Sequence, residues 1–276
     1  MAKRRRMFTD KTIKKRKKEG RCQCDGKDYI PWIKVQDIAS TGVSLKTFSH
    51  ETQRQHHLLS RLESNFFYIV DWSEKIKDIK EQYVLDLDET IAIAQELSIK
   101  HPKDPVSKIL SPMTTDFLLL ENNNGNERLK ARTIKYVKDL NKKRVLEKFD
   151  IEKTYWQRRN VDWAIVTEED INLDLVHNII WVRKAKSLMG ISGLTIEDLI
   201  KIEPEIRVAI LNGDSNISTL SCILNSKLAL QPGTILYIIR FLIANRIWEI
   251  NMFERINPES IICIQKVNLE KLYNMR

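Results

Sequence analysis

Apolar residues change their period several times along this chain, and each change marks an element. Over residues 55–71, Leu59, Glu63, Phe66, Phe67 and Val70 share one stripe at helical spacing, which predicts a helix with a carboxylate in its apolar face. Residues 116–120 and 129–137 are short apolar-rich runs around Asn122-Asn-Asn-Gly-Asn126, which predicts a hairpin. Helical spacing returns over 141–157, with Val145, Phe149, Glu152 and Trp156 on one stripe. Residues 163–166 form an unbroken apolar run of the buried-strand kind. Helix, hairpin, helix and strand together predict an α/β fold, a small mixed sheet flanked by helices.

Beyond the polar joint Thr167-Glu-Glu-Asp170 the pattern becomes mostly helical. The joint divides a first domain, 1–168, from a second, 169–276. In the second, 218–230 and 234–245 read as helices separated by Gln231-Pro-Gly233, and strands follow at 247–250 and 261–267 around Asn257-Pro258. Helix, helix, strand, turn, strand is a winged-helix order. The second of these helices is nearly all apolar, whereas a groove-reading helix needs exposed polar or basic side chains. A protein-docking, winged-helix-like module is therefore expected.

The hairpin carries candidate chemistry. Asn124-Gly125 suits a type I′ turn, whose two central residues both need positive φ. Such a turn sets Asp116 opposite Thr133, with Lys135 further along the same face and Lys138 on the other. Glu63 and Glu152 lie in apolar stripes, and a buried carboxylate needs a cation, a metal or a proton. With Asp116 and Lys135 converging, a divalent metal site is the expected explanation. Hard oxygen donors favour magnesium, with manganese able to substitute.

Charge adds a partner. Positions 1–28 hold twelve basic and four acidic residues, so nearly all of the net charge of +9 on the 276 residues lies there. A basic arm suits a polyanion, because each phosphate it neutralises releases counterions, and it lacks the apolar face that a lipid surface requires. Arg4, Arg5, Arg6, Lys14, Lys15, Arg16, Lys17 and Lys18 are expected to contact double-stranded DNA. No run has the length of a membrane helix, no apolar stretch follows the basic start as in a secretory signal, and four cysteines make no disulfide framework here. A soluble, cytoplasmic protein, nucleoid-associated when active, is expected. Cys22-x-Cys24 is half a zinc motif without a second half. His56-His57 is expected to cap or pack, and Trp32, Trp72, Trp156 and Trp163 to be core.

Glu63, then Asp116 in Met-Thr-Thr-Asp-Phe-Leu, then Thr133-Ile-Lys135 resembles the PD-(D/E)xK pattern of restriction-endonuclease-like folds. The flanking text resembles one family, the TnsA endonuclease subunits of Tn-seven-like transposons. It includes Gly26-Lys-Asp-Tyr-Ile-Pro-Trp32, Phe48-Ser-His50, His56-His-Leu-Leu-Ser60 with Leu62-Glu63, Lys100-His-Pro102, and Leu146-Glu-Lys148 with Tyr155-Trp156. The resemblance implies that Glu63 and Asp116 bind metal and that Lys135 orients the attacking water or supports the charged transition state. The acid-or-glutamine position is Thr133, a poorer ligand than a carboxylate, and Glu152 matches a family carboxylate. The resemblance also implies hydrolysis at the 5′ ends of a transposon, beside a TnsB-like DDE transposase and a TnsC-like AAA+ ATPase. A non-catalytic assembly factor and a free-standing restriction-like repair nuclease are the alternatives.

Overall fold

A computed structural model describes residues 8–38, 43–191, 193–213 and 215–276. Arg4, Arg5 and Arg6 lie outside the described residues. The chain divides into two compact units, Met1–Ile171 and Asn172–Arg276.

The first unit opens with helix α1 (Asp10–Lys18), capped by the Thr9 hydroxyl, with an acid in its first turn and four bases in its last, as the helix dipole favours. Strands β1 (Leu45–Ser49) and β2 (Arg54–Leu58) form an antiparallel pair. Helix α2 (Arg61–Trp72) follows, then β3 (Ile76–Val84), α3 (Leu87–Glu96), β4 (Thr114–Asn123) and β5 (Asn126–Ile134). The helices α4 (Val137–Leu140) and α5 (Lys143–Gln157) cross over to β6 (Asp162–Val166). The sheet order is β3-β4-β5-β6, antiparallel except for the parallel pair β5–β6 that the helical crossover permits.

This is the mixed sheet flanked by helices that the sequence predicts, with two local differences. Residues 55–58 pair with β1 and are not helical, because Ser60 caps α2 and fixes its start. The strand predicted to reach residue 137 ends at Ile134, and Lys138 lies on α4 with its ammonium over the Tyr136 ring. The turn between β4 and β5 is as expected: Asn124 and Gly125 have φ of 53° and 90°, and Asn123 pairs with Asn126.

One face of the sheet buries Leu118 and Ala131 with Leu85, Ile93, Ile151, Tyr155 and Trp156 of the surrounding helices and loops. Elsewhere Phe117 meets Phe66 of α2, with ring centroids 5.3 Å apart. A charged cluster links β2 to β3. The fully buried Glu81 accepts from Arg54 Nη1 and Nη2 at 3.0 and 2.6 Å and from the His57 N–H at 3.0 Å, and His56 Nδ1 lies 2.9 Å away. Burial pushes this carboxyl up, but His56 and Arg54 outweigh it and hold it at about 2.

The second unit contains α6 (Leu173–Arg183), α7 (Ile196–Leu211), α8 (Ile217–Lys227), α9 (Thr234–Ala244), the antiparallel pair β7 (Trp248–Ile250) and β8 (Ile264–Val267), and α10 (Leu269–Tyr273). Helix α9 packs against α6 and α8, and none of its residues is exposed. Asn178 ties α6 to the loop after β7, donating to the carbonyls of Met252 and Glu254 and accepting from the Ile256 N–H. Among the described residues, no helix is long and apolar enough to cross a membrane.

The Glu81 cluster yields a stability prediction. Arg54→Met leaves Glu81 buried with half its charge partners, and should cost about 3–5 kcal/mol, read from the urea midpoint of the full chain. Because the folded Glu81 value lies below the ordinary one, its stabilising contribution is present above the usual carboxylate range and is lost as pH falls through about 2. An unchanged midpoint for the variant at pH 7 would remove the cluster from the forces that hold β2 to β3.

Candidate active site

Glu63 stands in the first turn of α2. The Ser60 hydroxyl accepts from the Glu63 N–H at 3.1 Å, and Glu63 Oε2 turns back to accept from the Leu59 N–H at 3.0 Å. Ser60-x-x-Glu63 is capping-box spacing, with the return bond made one residue early. The local signal was therefore legible as a helix start, although the apolar stripe obscured it. Part of the burial of Glu63 has this structural reason.

The rest is tertiary. Asp116, near the start of β4, accepts from the Ile134 N–H at Oδ2, 2.7 Å, and from Gln82 Nε2 at Oδ1, 3.2 Å. The same Gln82 nitrogen lies 3.4 Å from Glu63 Oε2. One amide nitrogen thus spans two carboxylates that arrive from a helix and a strand. Burial, and then the charge of Asp116, push the Glu63 carboxyl up to about 8. Burial raises Asp116 as well, against the Ile134 N–H, Gln82 and the charge of Lys135. Sequence reasoning missed Gln82, and a lone glutamine in a strand gives no signal of its own.

Thr133 and Glu152 come together, but on a different footing. The regular β4–β5 ladder ends at the pair Phe117↔Arg132, in the expected register, and Asp116 does not continue it as a direct partner of Thr133. The hydroxyl that shares a partner with Thr133 is that of Thr115. Both donate to Glu152 Oε1, at 2.6 Å from Thr115 and 2.5 Å from Thr133, and Trp156 Nε1 donates to Thr115 Oγ1 at 2.7 Å. The irregularity lies where Gln82, at φ 50°, stands across from Asp116 between the pairs Glu81↔Phe117 and Tyr83↔Thr115. Burial holds Glu152 up at about 7, against the two hydroxyls and with the charge of Asp116. Among the described residues, no group of three or more His, Cys, Asp or Glu side chains converges on a common metal position. Of the four residues expected as ligands, Glu63 and Asp116 form a carboxylate pair, and Thr133 gives its hydroxyl to Glu152 beside them.

Lys135 follows β5 directly, its N–H donating to the Val166 carbonyl at 2.9 Å, and its charge acts on Asp116. Lys148, on α5 one turn before Glu152, is held down by its own burial and by the charges of Lys135 and Arg144. Lys148 thus lies within electrostatic reach of Lys135, as Lys135 does of Asp116.

On α1, Lys14, Lys15, Lys17 and Lys18 are exposed, but Arg16 is buried. Its guanidinium lies over Phe8 and Trp32, 5.2 and 5.5 Å from the ring centroids, and pairs with Asp37 at 3.6 Å. Arg16, expected from the sequence to contact DNA, instead gives its charge and its planar face to Trp32 and Asp37, distant in sequence. The histidines are structural, as expected. His56 is buried between Thr52 and Glu81, and His57 Nδ1 accepts from the Val35 N–H. Cys22 donates its thiol to the Gln82 carbonyl at 3.7 Å and contacts the Tyr29 hydroxyl at 3.2 Å.

The chain is similar to known proteins along both units. Residues 73–168 match the family described as TnsA-like endonuclease N terminal, and residues 170–252 the family described as TnsA endonuclease C terminal. The chain is 36% identical over 275 residues, 99% of its length and 98% of the relative's, to the transposon Tn7 transposition protein TnsA of Escherichia coli. With a mixed sheet carrying a carboxylate pair and a following lysine, and with similarity along nearly its whole length, the chain belongs to the TnsA endonuclease family, the nuclease subunits of heteromeric transposases.

Proposed function

We propose that this endonuclease subunit is magnesium-dependent and hydrolyses the phosphodiester at the 5′ ends of its transposon during cut-and-paste transposition. The observation that carries the reading is the pair Glu63 and Asp116, two carboxylates joined by one amide nitrogen with the charge of Lys135 acting on Asp116. Two carboxylates suit magnesium, which keeps several waters and takes one or two carboxylates with the substrate phosphate, better than they suit a closed cage. Manganese, of similar preference, is expected to substitute.

Glu63 and Asp116 hold the ion, which when bound supplies Lewis-acid activation of water and stabilisation of the leaving alkoxide. Asp116 is fixed by the Ile134 N–H, so its free oxygen arc is aimed before substrate arrives. Lys135 meets the scissile phosphate and the charge that develops on it, with Lys148 behind it. Thr133 and Glu152 support the strand ends from the buried side, where Glu152 retains a carboxylate that the two hydroxyls orient.

The exposed lysines of α1 track the DNA backbone without reading sequence. The second unit offers protein contacts: its apolar helix α9 has no exposed residue with which to read a groove. A TnsB-like transposase and a TnsC-like ATPase are the partners that the family resemblance suggests. The similar Escherichia coli protein is named for Tn7 transposition, and the same process is the assignment for this chain.

Asp116→Ala should reduce 5′-strand cleavage about a hundred- to a thousand-fold while 3′-strand processing by the partner transposase continues. Strand-resolved excision assays with magnesium measure this, and undiminished 5′ cutting would sink the assignment. Lys135→Ala should behave alike, whereas Lys138→Ala, altering a side chain that rests on Tyr136, should be near neutral.

A second prediction separates the faces of α1. Replacing Lys14, Lys15, Lys17 and Lys18 by Gln should weaken DNA binding uniformly across sequences and flatten the plot of log affinity against log salt. Arg16→Gln should instead lower the melting temperature and leave that slope alone. Equal slopes for the wild type and the quadruple variant would take α1 out of the DNA interface.

A further inference from the structure

Gln82 touches both site carboxylates, and its conformation is costly. It is buried, and its φ of 50° lies in the left-handed region that a side chain such as glutamine seldom adopts. Two groups hold it there. The Trp32 N–H donates to its carbonyl at 3.2 Å, and the Cys22 thiol approaches the same oxygen at 3.7 Å. The backbone carbonyl thus turns toward the segment before β1, while the side chain lies between Glu63 and Asp116. A third bond fixes the amide: the Thr114 hydroxyl donates to Gln82 Oε1 at 3.3 Å.

These contacts follow from the chemistry of the two carboxylates. Two carboxylates present acceptors only, so the NH₂ end of the amide faces them. A cation reverses that preference, since it repels the NH₂ hydrogens and attracts a carbonyl oxygen. The reversal gives up the two contacts to the carboxylates, whose charge the cation then meets, and keeps the third bond, because the Thr114 hydroxyl can accept from Nε2 as readily as it donates to Oε1. Amide oxygens are ordinary ligands of hard cations.

We infer that Gln82 is a third member of the cation site: its amide nitrogen spans Glu63 and Asp116 when no ion is bound, and its amide oxygen faces the ion when one is. The inference rests on the reading of Glu63 and Asp116 as ligands. It accounts for the strained backbone by giving it a task. It also brings an amide oxygen to Asp116 from β3, on the side opposite β5, where Thr133 gives its hydroxyl to Glu152.

The test uses the full chain with Mn²⁺ as the probe, by calorimetric titration and by thermal melts with and without the ion. Gln82→Leu should weaken Mn²⁺ binding about 10- to 100-fold, the usual range for losing a group that orients or completes a metal site. Gln82→Glu places a third carboxylate at the ion. It should tighten Mn²⁺ binding about tenfold, since affinity follows ligand charge, lower the metal-free melting temperature by like-charge repulsion, and enlarge the rise that Mn²⁺ produces. If Gln82→Glu lowers the metal-free and Mn²⁺-loaded melting temperatures equally, with no gain in affinity, the amide only packs and the inference falls. Wild-type affinity in Gln82→Leu would overturn it as well. Asp116→Ala separates this failure from that of the ligand reading. Lost binding there, with Gln82→Glu behaving as packing, defeats Gln82 alone, whereas undiminished binding there defeats the ligand pair and Gln82 with it.

Discussion

Two carboxylates within reach of one amide nitrogen, Glu63 buried and Asp116 half-buried, are the constraint around which the first unit is organised. Burial raises the Glu63 carboxyl, and the charge of Asp116 raises it further, to about 8, because like charges so placed cannot both be ionised at low cost. Glu81, one residue from the bridging amide, shows that burial does not by itself do this. It is at least as deeply buried, yet it is held at about 2, because Arg54 and His56 surround it. The fold therefore places a neutralised carboxylate, which joins strands, next to an under-neutralised pair, which suits the cation proposed for it. That asymmetry distinguishes a site from a salt bridge.

The elements around the pair keep it in place. The cap at Ser60 fixes where α2 starts and thus where Glu63 stands. The type I′ turn at Asn124-Gly125 fixes the register of β5 on β4, and with it the Ile134 N–H that holds Asp116. Helix α5 covers the sheet and brings Glu152 to Thr115 and Thr133. In the second unit, taken by itself, α9 is shielded from solvent.

Much of this was legible in the chain where the signal is local. The hairpin, its two-residue turn and its register follow from Asn124-Gly125, since few residue pairs tolerate positive φ twice. The burial of Glu63 and Glu152 follows from their places in apolar stripes, and the family from motif text spread over the first domain. What the sequence hid is tertiary. The left-handed residue at Gln82 interrupts the sheet and turns Thr115, not Asp116, toward the partner of Thr133. Arg16 resembles its exposed neighbours until Trp32 and Asp37 fold against it. Residues 55–58 carry helical spacing by coincidence, and the Ser60 cap with the pairing to β1 decides against it.

The central claim is that Glu63 and Asp116 share one cation site from which a proton must leave. Titration of the full chain with Mn²⁺ at pH 6.5, in buffers of differing ionisation enthalpy, counts that proton directly. With Glu63 held at about 8, the account predicts release of ~1 proton per ion bound, because a ligand must be deprotonated to bind, and loss of that release in Glu63→Gln. Binding without proton release, or the same release in Glu63→Gln as in the wild type, would contradict it.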